Sequence, residues 1–244
     1  MDNMINIAII GKMASGKTTL ANKINEKIFK NAGCICSFAG PIKEIYKRRE
    51  LLSHFTITIN DFIPNNTRET TLLEYEPFMK VLDRLDNELV PGTKPRKHFQ
   101  FLGDFFKKIY GENFWVNKLF EDFKMFNFVQ ISVGNNIKAL IIDDFRMNIE
   151  FETLINRNEN FIIICLELDE DERLKIIKNN SLGDLNTLTH NSETEVDDII
   201  GIIKSNAYDN MYDIVDKKRK ITIYSTKNKP ISKSFIKNIV INCI

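Results

Sequence analysis

The residues Gly11-Lys12-Met13-Ala14-Ser15-Gly16-Lys17-Thr18 match the pattern G-x-x-x-x-G-K-S/T in full, and they follow directly on the apolar run Ile5 to Ile10. A strand that ends in a glycine-rich turn and then opens a helix aims several backbone N–H groups at one point. The positive end of the helix dipole lies there as well, so the place suits a polyphosphate. Gly11 and Gly16 are expected to let the backbone curl where a Cβ would collide, and Ala14, Ser15, Gly16, Lys17, Thr18 and Thr19 to line the anion. Lys17 supplies a mobile ammonium for the outer phosphates, and Thr18 a hydroxyl for Mg²⁺. The ligand implied is a nucleoside triphosphate. Behind the loop, Thr19 to Lys30 reads as a helix with Leu20, Ile24, Ile28 and Phe29 on one face, stopped by Asn31 to Gly33.

Further apolar runs read as strands at Cys34 to Phe38, Ala139 to Ile142, Phe161 to Leu168 and Ile221 to Tyr224, with helical stretches between them. Alternating strands and helices imply an α/β fold: a parallel sheet of the P-loop type, with right-handed crossovers and helices on both faces. With 244 residues, 43% of them hydrophobic, the chain can fill one such domain. The span from about 46 to 95 breaks the rhythm with the Thr- and Asn-rich piece Thr56 to Thr71 and the loop Pro91-Gly92-Thr93-Lys94-Pro95, and reads as an insertion or cover. The aromatics of Phe99 to Phe128 recur at helical spacing, interrupted at Gly111, as core filling does. That segment is also a candidate surface for a homodimer.

A formal net charge of +1 argues against a polymeric nucleic acid or an anionic membrane as partner, so any anion site must be local. No apolar run approaches the roughly 18 to 20 residues that span a bilayer, and Asp2 stands where a signal peptide would be basic, so a soluble, cytoplasmic protein is expected. Of the four cysteines, Cys34, Cys36, Cys165 and Cys243, three lie in strand-like runs and are expected as buried thiols. Cys34-x-Cys36 is expected to send its side chains to opposite faces of a strand, and so neither to chelate one metal nor to bridge easily.

Active sites of parallel sheets form at the carboxyl ends of the strands. After the second strand, Pro41 suits the first turn of a helix and brings Lys43 near its N-terminus. After the third come Asp143-Asp144-Phe145-Arg146 and then Glu150. One of the two aspartates can hold Mg²⁺ directly or through water, and a helix cap is the competing role for the other. Arg96 and Arg146 can grip phosphate oxygens bidentately. Arg173, Lys175 and Lys178 are expected to share a helix face in a lid region of about 169 to 195, and Ser192-x-x-Glu195 reads as a capping box beside the ambiguous His190. A guanine-nucleotide switch is disfavoured, since Asn22-Lys23, Asn117-Lys118 and Asn228-Lys229 all lack the aspartate of an Asn-Lys-x-Asp motif.

Taken in order, the loop Gly11 to Thr18, Phe38-Ala39-x-Pro41-x-Lys43, Arg96 with Phe99-Gln100-x-Leu102-Gly103, Phe114-Trp115-Val116, Asp144-x-Arg146 with Glu150, and His190-x-Ser192-Glu193 resemble the deoxynucleoside monophosphate kinases of large DNA viruses and bacteriophages, within the adenylate-kinase-like P-loop kinases. Gly40 stands where that family commonly has an acidic residue, and Asp104 where threonine is usual. The resemblance implies transfer of the γ-phosphoryl of ATP to a deoxynucleoside monophosphate with Mg²⁺, in the cytoplasm (the host's, if viral). It implies catalytic roles for Lys17, Arg146 and Arg173, and a metal site at Thr18 and Asp144. It also implies acceptor contacts from Phe38, Lys43, Arg96, Gln100, Trp115, Asp144, Arg146 and Glu150, with the region of Arg173 closing over ATP. Rival readings are a kinase of another small phosphorylated acceptor, such as phosphomevalonate, and a regulatory ATP-binding module.

Overall fold

The computed structural model describes residues 4–54, 80–92, 95–157, 161–179, 191–205 and 222–225. The chain divides into two compact units: Met1–Phe38 together with Val116–Ile244, and Ala39–Trp115. The second is wider than the insertion expected at about 46 to 95. The Thr- and Asn-rich piece at 56–71, His190 and Cys243 lie outside the described residues.

The first unit is built on a parallel sheet of β1 (Ile5–Gly11), β2 (Gly33–Cys36), β3 (Ala139–Phe145), β4 (Phe161–Leu166) and β5 (Thr222–Ser225), in the order β2-β3-β1-β4-β5. The chain leaves β1 on one side to form β2 and β3, and returns on the other to form β4 and β5. The direction therefore switches at β1, the place beyond the strand ends where open parallel sheets bind their ligands. Six consecutive β1 residues, Asn6 to Gly11, are buried, and every residue of β4 is buried, as strands covered on both faces must be.

Side-chain alternation sorts the core into two layers. Ile7, Ile9, Ala139, Ile141, Ile162 and Ile164 pack with Leu20, Ala21, Ile24 and Phe29, which come from α1 (Lys17–Lys27) and the turn after it. Ala8, Ile10, Leu140, Ile142, Ile163 and Cys165 pack on the other face. There they meet α5 (Phe114–Ser132), α6 (Asn148–Asn156) and α8 (Asn191–Ser205) through Phe120, Phe123, Leu154, Val196 and Ile199. Each of the Ile, Leu, Val and Phe side chains among them contributes up to about 1.5–3 kcal/mol through burial. Helix α1 begins at Lys17, two residues earlier than its apolar period suggests, because the last residues of the glycine-rich loop supply its first turn.

The register of β3 slips at its end. Ala8 lies opposite Ile142 but Ile10 lies opposite Phe145, so the strand carries one extra residue at Asp143–Asp144. In consequence Phe145 packs on the same face as Leu140 and Ile142, which strict alternation forbids.

Cys34 and Cys36 require a correction. Residues two apart on a strand share a face, and both thiols lean on the layer that holds Leu140 and Ile142, with 3.4 Å between the sulfurs. Cys165 is buried as expected, but these two are only half-buried.

The second unit contains α2 (Gly40–His54), a helix at residues 80–88 (α3) and α4 (Arg96–Tyr110), and it ends on the first two residues of α5. Its core joins Ile45, Leu82, Leu102, Phe106 and Trp115. Gly111, at φ 93°, stops α4 as its place in the aromatic segment suggests. The aromatics of that segment mostly fill cores, but the far end of α5 leaves Met125 and Phe128 both 66% exposed. Among the described residues no helix is long and apolar enough to cross a membrane.

Candidate functional site

The glycine-rich loop Gly11 to Thr18 links β1 to α1 at the switch in strand order. Gly16 caps α1 at φ 90° with no side chain bonded to the helix end, so the first N–H groups of α1 point outward uncapped. Ala14 is also left-handed, at φ 65°, a strain that a non-glycine residue carries only where the surroundings impose it. Ser15 Oγ is buried without a hydrogen-bond partner. An unpaired hydroxyl beside an open helix N-terminus fits a loop made to wrap a polar anion.

The two glycines act differently from one another. A Cβ at Gly16 would meet nothing within 4 Å, so that position needs glycine for its backbone angle alone. At Gly11 a Cβ would stand 2.8 Å from the Leu166 carbonyl oxygen and 2.6 Å from Ser15 Oγ, so the collision is with β4 and the loop itself. Gly11→Ala is expected to destabilise the protein by about 1–3 kcal/mol, the usual range for an overpacked site. Thermal denaturation of the variant beside the parent protein measures it.

Lys17 is 6% exposed, and its Nζ donates to the carbonyls of Gly11 and of Lys12, the latter at 2.9 Å. Burial, reinforced by the Arg146 guanidinium, lowers its pKa to about 7, against the pull of Glu193, Asp144 and Asp143.

The extra residue in β3 aims its two aspartates apart. Asp143 Oδ2 accepts the Thr18 hydroxyl at 2.7 Å, whereas Asp144 Oδ1 accepts the Phe38 N–H at 2.6 Å and so ties β3 to the end of β2. The carboxylate beside Thr18 is therefore that of Asp143, where Asp144 was expected. Among the described residues no three His, Cys, Asp or Glu side chains are grouped to hold a metal. A Mg²⁺ at this point would rest on Thr18, Asp143 and its ligand's phosphates, as this hard, oxygen-seeking ion commonly does.

Helix α8 holds the loop from the side. Glu193, 4% exposed, accepts the Met13 N–H at 3.0 and 3.1 Å and pairs with Arg146 and Arg173, each at 3.1 Å. One turn on, Asp197 pairs with Lys12 at 2.7 Å. Arg173 lies in α7 (Glu170–Asn179), also pairs with Glu170 at 2.6 Å, and reaches the Met13 carbonyl at 3.4 Å. Its buried face is shared with Ile177, while Lys175 and Lys178 are exposed, because offsets of two and five residues do not keep to one side of a helix. Sequence reading marked Glu193 only as part of a motif, and its one local signal was a carboxylate in the first turn of a helix.

Other expected site residues have structural duties. Glu150 is 7% exposed, and its Oε2 accepts the N–H groups of Arg146 (2.7 Å) and Met147 (2.9 Å), which fixes the turn that carries Arg146. Burial and Asp144 push its pKa up to about 8. Glu195 accepts the Asn148 N–H at 2.7 Å and so caps α6. Helix α8 begins at Asn191, and the Ser192 side chain of the expected capping box lies outside the described residues. Phe38 is a core residue of the first unit, and Trp115 of the second, where its indole N–H donates to the Gly103 carbonyl at 2.9 Å. Lys43 lies exposed in the first turn of α2, Arg96 opens α4, and Gln100 is exposed one turn further along it.

No family model matches the chain, and no curated protein matches it in sequence. Among solved structures it is similar to an unliganded sugar kinase from a Janibacter species, at 7% identity over 98% of this chain and 92% of that one, with a TM-score of 0.33. A likeness that slight carries no argument, so function is argued from the geometry above.

Proposed function

We propose that this protein transfers the γ-phosphoryl group of ATP to a small phosphorylated acceptor, a nucleoside or deoxynucleoside monophosphate, in the making of DNA precursors. The observation that carries the phosphate half of this reading is the meeting of the loop, the buried Lys17 ammonium and the Thr18–Asp143 pair at the carboxyl end of β1. The acceptor half rests on the ordered sequence motifs.

Phosphoryl transfer asks chiefly for position and for neutralised charge, because negative charge spreads over the transferring oxygens. The uncapped amides of α1 and Lys17 would bind the phosphates of ATP, with Ser15 Oγ as a further donor. Mg²⁺, held by Thr18 and Asp143, would supply Lewis acidity toward those oxygens. Arg146 is 30% exposed and carries its guanidinium beside the loop, fit to draw the acceptor phosphate toward it. The acceptor roles of Lys43, Arg96 and Gln100 rest on the ordered sequence motifs alone. Arg173 acts through Glu193 and the loop backbone, and so serves as a positioning residue. A homodimer in the cytoplasm belongs to the same reading.

The deciding experiment is a coupled assay of ATP with each ribonucleoside and deoxynucleoside monophosphate, beside phosphomevalonate and a no-acceptor control. ADP formation that depends on a nucleoside monophosphate supports the reading. Turnover that ignores every nucleotide acceptor overturns it. Arg146→Ala is expected to raise the acceptor KM and lower kcat while ATP affinity changes less, since Lys17 stays in place and Arg173 still pairs with the Glu193 that holds the loop. Loss of ATP binding with acceptor binding intact would contradict that assignment.

A further inference from the structure

We propose that Cys34 and Cys36 form a reactive dithiol on β2, a modification site at which a low-molecular-weight disulfide is reduced and the two cysteines become bridged. The site is independent of the nucleotide reading. Its basis is geometric: the sulfurs lie 3.4 Å apart on one face of a strand, both side chains are half-buried, and β2 is the outermost strand on its side of the sheet. Two residues of extended strand span about 6.6 Å. That is the outer end of the roughly 4.4–6.8 Å between Cα atoms that a disulfide tolerates, and same-face Cβ atoms on a straight strand stand farther apart than the roughly 3.5–4.5 Å of a bridge, so closure bends β2 locally and draws the two side chains together.

The two thiols are not equivalent. A hydrogen bond from Cys36 holds the Cys34 thiol below its ordinary range. The same contact, with burial and with Asp143 and Asp144 nearby, pushes Cys36 up. Cys34 is therefore the attacking sulfur. Its thiolate attacks one sulfur of the small disulfide RSSR, forming the mixed disulfide Cys34–S–SR and releasing RS⁻, which takes up a proton. Cys36 then attacks the Cys34 sulfur, expels the second RS⁻ and passes its own proton to it. In sum two protein thiols and RSSR become one protein disulfide and two RSH, with two electrons moved to the small molecule.

The bridge joins no separate elements; its effect falls on the β2–β3 ladder, where Cys34 lies opposite Leu140 and Cys36 opposite Ile142, the residue before Asp143. Cys165 is 2% exposed and takes no part.

The test uses the full chain equilibrated with oxidised and reduced glutathione in varied ratio, quenched with acid, alkylated and cut with trypsin. The peptide from Asn31 to Lys43 holds only these two cysteines. Under oxidising ratios it is expected to lose two hydrogens and to resist alkylation, and to return to the doubly alkylated form when reductant is in excess. Cys36→Ser is expected to stop at a glutathione adduct on Cys34, and Cys34→Ser to react about tenfold more slowly or less readily still. A doubly alkylated wild-type peptide at every ratio would overturn the proposal, as would a bridge to Cys165 or Cys243 in place of the internal one. The wild-type peptide map decides the matter even where a variant misfolds.

Discussion

Lys17→Ala is expected to lower ATP-dependent phosphoryl transfer by about a hundredfold or more, the scale on which losing one preorganised charge contact is felt. The fold should survive, because Lys17 is a cost to the free protein. Its pKa falls from 10.5 in the free residue to about 7 in the folded chain, chiefly through burial. Between pH 7 and 10.5 the unfolded chain thus binds more protons than the folded one, so stability attributable to this group rises with pH across that window. The penalty is complete below pH 7 and fades toward pH 10.5. The Tm of Lys17→Ala relative to the parent protein should accordingly be most favourable below pH 7, and the advantage should shrink as the pH is raised. Calorimetry of both proteins from pH 6 to 9, set beside kcat, measures the two effects separately. ATP reverses the electrostatics: its phosphates favour the ammonium, so binding above pH 7 should take up a proton, visible as a dependence of binding heat on buffer ionisation enthalpy. A variant of near-normal turnover would remove Lys17 from the chemistry.

The parallel sheet was readable because its central strands β1, β3 and β4 are covered on both faces and so appear as unbroken apolar runs; all five strands fall within three residues of where the apolar runs lie. The loop was readable because its chemistry is local. What escaped was decided by register and by distance along the chain. The choice between Asp143 and Asp144 turns on one extra residue in β3 relative to β1, and that slip depends on a partner strand about 130 residues away. Arg173 was marked for the lid, yet a partner 20 residues on, Glu193, draws it into the interior against the loop. Glu195, marked only as one half of a local capping box, gives a carboxylate oxygen to the start of another helix, 47 residues back at Asn148. Carboxylates at helix starts are easy to see in a sequence, but which helix they serve is a tertiary fact.

Glu193 is the residue whose loss should reach furthest through the first unit. Its carboxylate receives the Met13 N–H and two guanidinium groups at one buried point, so Glu193→Ala leaves Arg173, 4% exposed, with Glu170 as its remaining acidic partner and strips the loop N–H of its acceptor. Breaking a buried pair by removing one member typically costs about 3–5 kcal/mol. For a chain of this size that is a fall in Tm on the order of 10 °C. Glu193→Gln keeps an oxygen for Met13 but loses the charge that holds the arginines, and should fall between the parent and the alanine variant. Asp197→Ala is the control: its pair with Lys12 lies on the same helix one turn away, but the aspartate is 62% exposed and the pair is worth at most about 1 kcal/mol. Thermal melts of the three variants, followed by ATP titration of those that fold, separate a carboxylate that organises the loop from one that merely borders it. If Glu193→Ala melted within a degree or two of Asp197→Ala, the buried network would not be what holds Met13 and Arg173 in place.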